Sequence, residues 1–528
     1  MDRSYNLALP FSRTARKSPD LLALHVGSTN CSYGQLEEMA RSVAAFAGPG
    51  MRQKRIGILA SRSIEAYAGI LGAAWCGATY VPLNLKWPEG RLIALLKALD
   101  LDALVADVNG AALLTPEVMA VAPRRLILAD NAARPEENGH DARHFADLPR
   151  GTTDPVHVDA DHVGYIIFTS GTTGMPKGVM ISAGSLDHYL EQTRGWTALG
   201  AEDRLAETCD VTFDLTVHNM FLAFEAGASL HLMSQLEMMA PARFIRSNAI
   251  TVWMSVPTVV ATMMKTGQLK PDVFPTLRMS IFCGEPLPLS AALAWSAAAP
   301  NSSVENIYGP TECTVICMRQ TLTEPPVVTP ERNIIAIGNA YPTMEVAILD
   351  PRQVPVPEGE PGEIALSGPQ VGLGYFGAPE QTADRFRLIR GKRWYLTGDL
   401  GRRDADGVFH HLGRTDNQVK VKGNRIELEE VEAHLRSAAG TEIVAVVAWP
   451  LIDGSAQALV GFAAGSKRSA EEIRLAMAAT LPRYMVPATV EVLPELPVNI
   501  NGKIDCNALR SKLAAAGDTT RTPLAAAE

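Results

Sequence analysis

Thr169 to Gly178 read Thr-Ser-Gly-Thr-Thr-Gly-Met-Pro-Lys-Gly, directly after the apolar run Val163–Phe168. Gly171, Gly174 and Gly178 let backbone N–H groups approach an anion closely. Thr169, Ser170, Thr172 and Thr173 add hydroxyl donors, and Lys177 adds positive charge. Those are the parts of a polyphosphate cradle. It is not a Walker A loop, which needs Gly-Lys-[Ser/Thr] at the start of a helix. Here Met175-Pro176 precedes Lys177, and Gly178 follows it. The plain alternative is a Gly/Ser-rich surface loop, and the density of donors after a buried run argues against it.

Further segments follow in order: Asn306-Ile-Tyr-Gly-Pro-Thr-Glu312, Tyr395-Leu-Thr-Gly-Asp-Leu400, Gly413-Arg-Thr-Asp-Asn-Gln-Val-Lys-Val-Lys-Gly423, Arg425-Ile-Glu-Leu-Glu-Glu430 and Asn501-Gly-Lys-Ile-Asp505. Together with the glycine-rich loop they resemble the adenylate-forming superfamily of acyl-CoA synthetases, luciferases and peptide-synthetase adenylation domains. The resemblance runs to about residue 510. It implies use of ATP and Mg²⁺ to turn a carboxylic acid into an acyl-adenylate, then transfer of the acyl group to a thiol.

The resemblance also assigns roles that the residue chemistry supports. Tyr308 would stack on adenine, with Asn306 near the adenine edge or simply packed. Gly309 and Thr311 belong to the same nucleotide-binding run. Glu312 would bind Mg²⁺ as a hard carboxylate ligand. Asp399 would accept both ribose hydroxyls, and Arg414 would reach the ribose or phosphate. Lys503 would bridge the substrate carboxylate and the α-phosphate, stabilising charge as pyrophosphate leaves. A solvated turn lysine after Asn-Gly is the bland alternative. A small domain carrying Lys503 would rotate about a hinge near Asp416, bringing Gly423 to line a channel for an incoming pantetheine thiol.

Thr212-Phe-Asp-Leu-Thr-Val-His-Asn219 resembles the amino-acid-activating branch. There Asp214 would pair with the substrate ammonium; its bland alternative is a helix N-cap. The pocket walls by the same resemblance are Leu215, His218, Met254, Ile281, Cys283, Ile307, Val315 and Ile316. Mostly apolar and of medium to large size, they favour a small substrate. Ile281-Phe-Cys-Gly-Glu-Pro286 together with Phe213-Asp-Leu also resembles stand-alone D-alanine–carrier protein ligases. His218 is open between a bond to a polar substrate group and a satisfied core histidine. A Ser-Leu carrier attachment motif is absent after Lys503, so the expected acceptor is a separate phosphopantetheinylated carrier protein. The competing readings are an acyl- or aryl-CoA ligase and a catalytically silent carrier-binding module.

The elements that must position these residues follow from apolar periodicity. Ile56–Ala60, Val163–Phe168, Ser229–Met233 and Met279–Phe282 read as buried strands, and 185–195 and 291–299 as helices. The alternation predicts α/β layers with largely parallel sheets. The resemblance refines this to a large N-terminal domain over 1–414: two sheets with helices, plus a smaller β-barrel-like part. A small mobile α+β domain would cover 415–510. The segment 413–418 reads as a polar linker, Glu427–Ala438 as a helix stopped by Gly440, and 511–528 as a disordered tail.

A net charge of -9 disfavours a nucleic-acid binder. The seven cysteines are scattered without a CxxC pair, which fits a reducing cytosol better than a disulfide framework. Residues 66–85 carry no charge, but Gly69, Gly72 and Gly77 interrupt them. They read as a buried helix and then a strand, with no membrane insertion.

Overall fold

Short, mostly apolar runs become strands buried on both faces, the pattern of parallel sheets covered by helices. In the computed structural model, which describes residues 3–48, 54–135, 139–170, 176–414, 418–452, 455–497 and 504–518, two such sheets dominate. One has nine strands. At its centre Arg204–Glu207, Val252–Ser255, Met279–Phe282 and Ser303–Tyr308 lie parallel, and Met318–Thr321 adds antiparallel to the last. The other has eight strands, with Arg55–Leu59 parallel to both Thr79–Pro82 and Ala103–Ala106.

The uncharged stretch resolves as expected. Ser63 caps the helix Ile64–Trp75, buried along most of its length, and Thr79–Pro82 follows as a strand. Among the described residues no helix is long and apolar enough to cross a membrane. All seven cysteines are free.

A third, antiparallel sheet has Gly362–Ser367 between Glu345–Leu349 and Lys392–Arg403. Phe409–Arg414 pairs with that long strand, setting Arg414 opposite Asp399 and Gly413 opposite Leu400. Gly413 and Arg414 are therefore strand, not linker. Their polarity suits an edge facing a polar site, and ladder bonds replace the missing apolar periodicity.

The chain divides into two compact units: Met1–Leu85, Glu89–Phe168 and Lys177–Asp416 form one; Lys86–Pro88, Thr169–Pro176 and Asn417–Glu528 form the other. In the second unit Gln418–Val421 and Asn424–Glu427 form a hairpin. Lys422 (φ 49°) and Gly423 (φ 81°) make its two-residue turn, which needs left-handed backbone at both positions. Helix Leu428–Ala439 ends at Gly440 (φ 64°). Val444–Ala448, Leu459–Ala464 and Thr489–Leu493 form its sheet. The expected tail from Ser511 begins as helix instead: Cys506–Asp518 is one helix, with Leu509 buried and Leu513 packed on the cluster around Phe462. Alanine-rich sequence is a good helix former once one face finds a partner.

Candidate active site

Strands deliver the nucleotide-binding candidates. Tyr308 closes Ser303–Tyr308, and its hydroxyl donates to Asp399 Oδ2 at 2.5 Å. Asp399 lies within Lys392–Arg403, its N–H donating to Thr397 Oγ1 at 3.0 Å. Arg414 donates to Asp399 Oδ1 at 2.5 Å and to the Thr397 carbonyl at 3.1 Å. Burial, then the neighbouring Asp399 charge, pushes the Tyr308 phenol well above its usual range, so it stays a proton donor. Asn306 is a brace in this structure: its Nδ2 donates to the carbonyls of Ile335 and Ala336 at 3.3 and 2.8 Å.

His411 and Arg332 join this group without a motif to announce them. A guanidinium can only donate, so the 2.6 Å contact from Arg332 Nη1 makes His411 Nδ1 the acceptor. The ring proton then sits on Nε2, which lies 3.4 Å from Asp399 Oδ1. Asp399 is thus approached by Tyr308, Arg414 and His411.

Thr311 opens the short turn Thr311–Cys313, which holds Glu312 fully buried. Glu312 Oε1 accepts from Tyr375 Oη at 2.9 Å. Lys177, first residue of the strand Lys177–Ser182, places its ammonium 5.8 Å from the centre of the same Tyr375 ring. Thr169 ends the strand Val163–Thr169, and its Oγ1 is buried with no hydrogen-bond partner among the described residues. An orphaned buried hydroxyl there could receive an anionic oxygen. Ser170 donates to the Arg425 carbonyl at 2.8 Å within the second unit. Gly171, Thr172, Thr173, Gly174, the hinge candidate Asp416 and Lys503 lie outside the described residues.

The pocket-wall candidates pack together. Leu215, Met254, Ile281, Cys283, Ile307, Val315 and Ile316 are all buried in one contiguous cluster. Register explains it: Met254 pairs with Ile281 and Ile281 with Glu305 across parallel strands. Cys283 and Ile307 lie two residues further along, on the same face. Asp214 occupies the N-cap position of helix Leu215–Ala226, yet its side chain makes no capping hydrogen bond. Asp210 bonds locally instead, accepting from Thr212 N and Oγ1.

His218, on that helix, is 1% exposed. Its Nδ1 meets Tyr189 Oη at 2.5 Å. Burial pushes its pKa down to about 3, so the ring is neutral. Next to it Asn219 Nδ2 reaches Glu207 Oε2 at 3.4 Å. Glu207 is fully buried, and burial raises its pKa to about 8.

The turn from Gly309 to Ile316 carries backbone strain. Thr314 and Val315, both β-branched, hold φ of 57° and 64°, a conformation costing about 1–3 kcal/mol per residue. Gln370 over-determines it. Fully buried, it donates from Nε2 to the Ile316 carbonyl at 2.6 Å, and its own carbonyl accepts from Thr314 Oγ1 at 2.7 Å. Gly309 permits the fold-back, because a Cβ there would stand 2.4 Å from the Val315 carbonyl oxygen. Gln370, Tyr375, His411 and Arg332 carried no sequence signal: each finds its partner tens of residues away.

This arrangement has relatives. The AMP-binding enzyme family matches residues 11–376. AMB antimetabolite synthetase AmbB of Pseudomonas aeruginosa is 35% identical over 514 residues, 94% of this chain and 38% of that protein. L-proline–[L-prolyl-carrier protein] ligase of Pseudomonas fluorescens is 33% identical over 489 residues, covering 90% of this chain and 93% of that one. The crystal structure of the Vibrio cholerae adenylation domain AlmE in complex with glycyl-adenosine-5'-phosphate superposes with a TM-score of 0.89. It shares 29% identity and covers 98% of this chain and 99% of its own. The chain spans 38%, 20% and 7% of the lengths of three larger synthetases it matches. The match across most of the chain and the meeting of Tyr308, Asp399 and Arg414 lead to one conclusion: the chain belongs to the AMP-binding enzyme family.

Proposed function

We propose that the protein activates a small amino acid with ATP, forming its aminoacyl-adenylate, and passes the aminoacyl group to the phosphopantetheine thiol of a separate carrier protein. The observation that carries this reading is Asp214. It stands at the N-cap of a buried helix whose next residue, Leu215, belongs to the apolar cluster, and its carboxylate is not used to cap that helix. An anionic side chain there matches a substrate that brings its own ammonium.

In this reading a substrate carboxylate oxygen forms a bond to the α-phosphorus while the bond from that phosphorus to the bridging oxygen breaks, releasing pyrophosphate. Asp399 accepts the ribose hydroxyls, Tyr308 packs on adenine, and Arg414 aligns Asp399. Glu312 suits Mg²⁺, a hard cation that takes one or two carboxylates and fills its shell with phosphate oxygens and water. Thr169 and Lys177 receive phosphate oxygens, together with Ser170, Gly171, Thr172, Thr173 and Gly174. Lys503 stabilises charge at the α-phosphate from the small domain, which we place at 415–510 after a core of 1–414. Gly423 then lines the thiol channel. Seven free thiols suit the cytoplasm.

The test is substrate-dependent ATP–pyrophosphate exchange with the purified chain. The panel holds common L-amino acids, D-alanine, glycine, β-alanine and deaminated analogues such as propionate. Exchange with a small amino acid but not its deaminated analogue is expected. Exchange with the analogue alone would sink the amine-binding role of Asp214.

A further inference from the structure

Tyr375 touches two of the groups assigned to the polyphosphate end of the site. Its hydroxyl donates to Glu312 Oε1 at 2.9 Å, and its ring lies 5.8 Å below the Lys177 ammonium. The short segment that carries it is tied to both partners through backbone as well. Gly372 N–H donates to the Glu312 carbonyl at 2.8 Å. Leu373 and Phe376 N–H groups donate to the Met180 and Gly178 carbonyls at 2.8 and 2.7 Å, on the strand that Lys177 begins. Tyr375 N–H is itself held by Thr382 Oγ1 at 2.9 Å. Gly374 (φ 133°) makes this possible, since a Cβ there would lie 2.4 Å from Thr382 Cγ2.

The geometry points to Tyr375 as a positioning residue: it fixes the Glu312 carboxylate for Mg²⁺ and seats Lys177 for the phosphates, acting through both and touching neither ligand itself. A carboxylate bound through one oxygen cannot spin about its Cγ–Cδ bond, so the second oxygen keeps one direction. Groups that orient a metal ligand from behind typically contribute about 10–100-fold to metal affinity. The cation over the ring face adds a separate attraction for Lys177. This inference rests on the proposed assignment of Glu312 to Mg²⁺ and Lys177 to phosphate.

Two substitutions separate the contributions. Tyr375→Phe keeps the ring beneath Lys177 and its edge-on packing against Phe386 (5.6 Å between centroids), and removes only the hydroxyl. Tyr375→Leu removes both. ATP binding by the full chain is measured by calorimetry, in EDTA and across a Mg²⁺ titration, with melting temperature as the check on folding. For Tyr375→Phe, half-saturating Mg²⁺ rises about tenfold or more, while ATP affinity in EDTA stays within about twofold. For Tyr375→Leu, affinity in EDTA falls as well, by about threefold or more. In a Glu312→Gln background the further Mg²⁺ effect of Tyr375→Phe disappears, because the two changes act on one interaction. Unchanged Mg²⁺ dependence in a folded Tyr375→Phe protein, or an equal effect in the Glu312→Gln background, overturns the inference. A wild-type chain that binds no ATP would instead overturn the function on which it rests.

Discussion

Tyr308 and Asp399 come from different sheets and share one proton contact of 2.5 Å. With Arg414 on the other oxygen, the carboxylate is oriented before any ribose arrives. Asp399→Asn removes the acceptor charge and leaves Arg414 facing a neutral group. We expect the KM for ATP to rise about tenfold or more, the scale of losing hydrogen bonds to a charged group. The KM for the amino acid should stay within about twofold. Initial-rate measurements varying each substrate check this, and equal rises in both would remove Asp399 from a nucleotide-specific role.

Lys503→Ala should lower adenylation by about two orders of magnitude or more, as loss of one placed electrostatic donor does. Pyrophosphate exchange reads this directly. Near-normal exchange would end the assignment.

Asp214→Ala should invert selectivity. Removing one partner of a desolvated charge pair costs about 2–5 kcal/mol. The amino acid should therefore lose about thirtyfold or more in kcat/KM, while its deaminated analogue gains relative to it. An equal loss for both acids would return Asp214 to a structural part.

Stability should respond to pH at two buried sites with opposite sign. Glu207, raised to about 8 by burial, keeps a proton that the unfolded chain releases near 4.5. Its contribution is full below pH 4.5 and is lost as pH rises through 8. His218, lowered to about 3, refuses a proton that the unfolded chain takes near 6.5. That contribution is present above pH 6.5 and erodes as pH falls toward 3. Glu207→Gln supplies an uncharged side chain of the same shape. Its melting temperature, compared with wild type at pH 6 and pH 8.5, should gain on wild type as pH rises. A constant gap between the two would show that Glu207 does not titrate there.

Residues that lie in local runs were readable from sequence. Met279–Phe282 is a strand because Met279, Ile281 and Phe282 fill a doubly covered sheet. Tyr308, Glu312, Asp399 and Arg414 sit in glycine-marked segments whose order is itself a signal. Arg414 was misread as linker because strand pairing, unlike helix periodicity, can run through polar sequence. The helix reaching Asp518 was missed because Leu509 owes its burial to a surface that composition cannot show. The same limit hid Tyr375, Gln370 and the Arg332–His411 pair, whose meaning lies in long-range contacts. His218 could be left only as an alternative from sequence; its neutrality follows from full burial.

The left-handed pair Thr314 and Val315 also bears on how substrate range can drift. None of the other proposed pocket walls shares that left-handed backbone, so shortening one of them only leaves a void to be filled. If Val315 is a wall of the proposed pocket, a glycine there would shed side-chain volume and release backbone strain in a single exchange, leaving space for a bulkier acid. Adaptation toward larger substrates therefore has a preferred first step, and main-chain conformation selects it ahead of side-chain size.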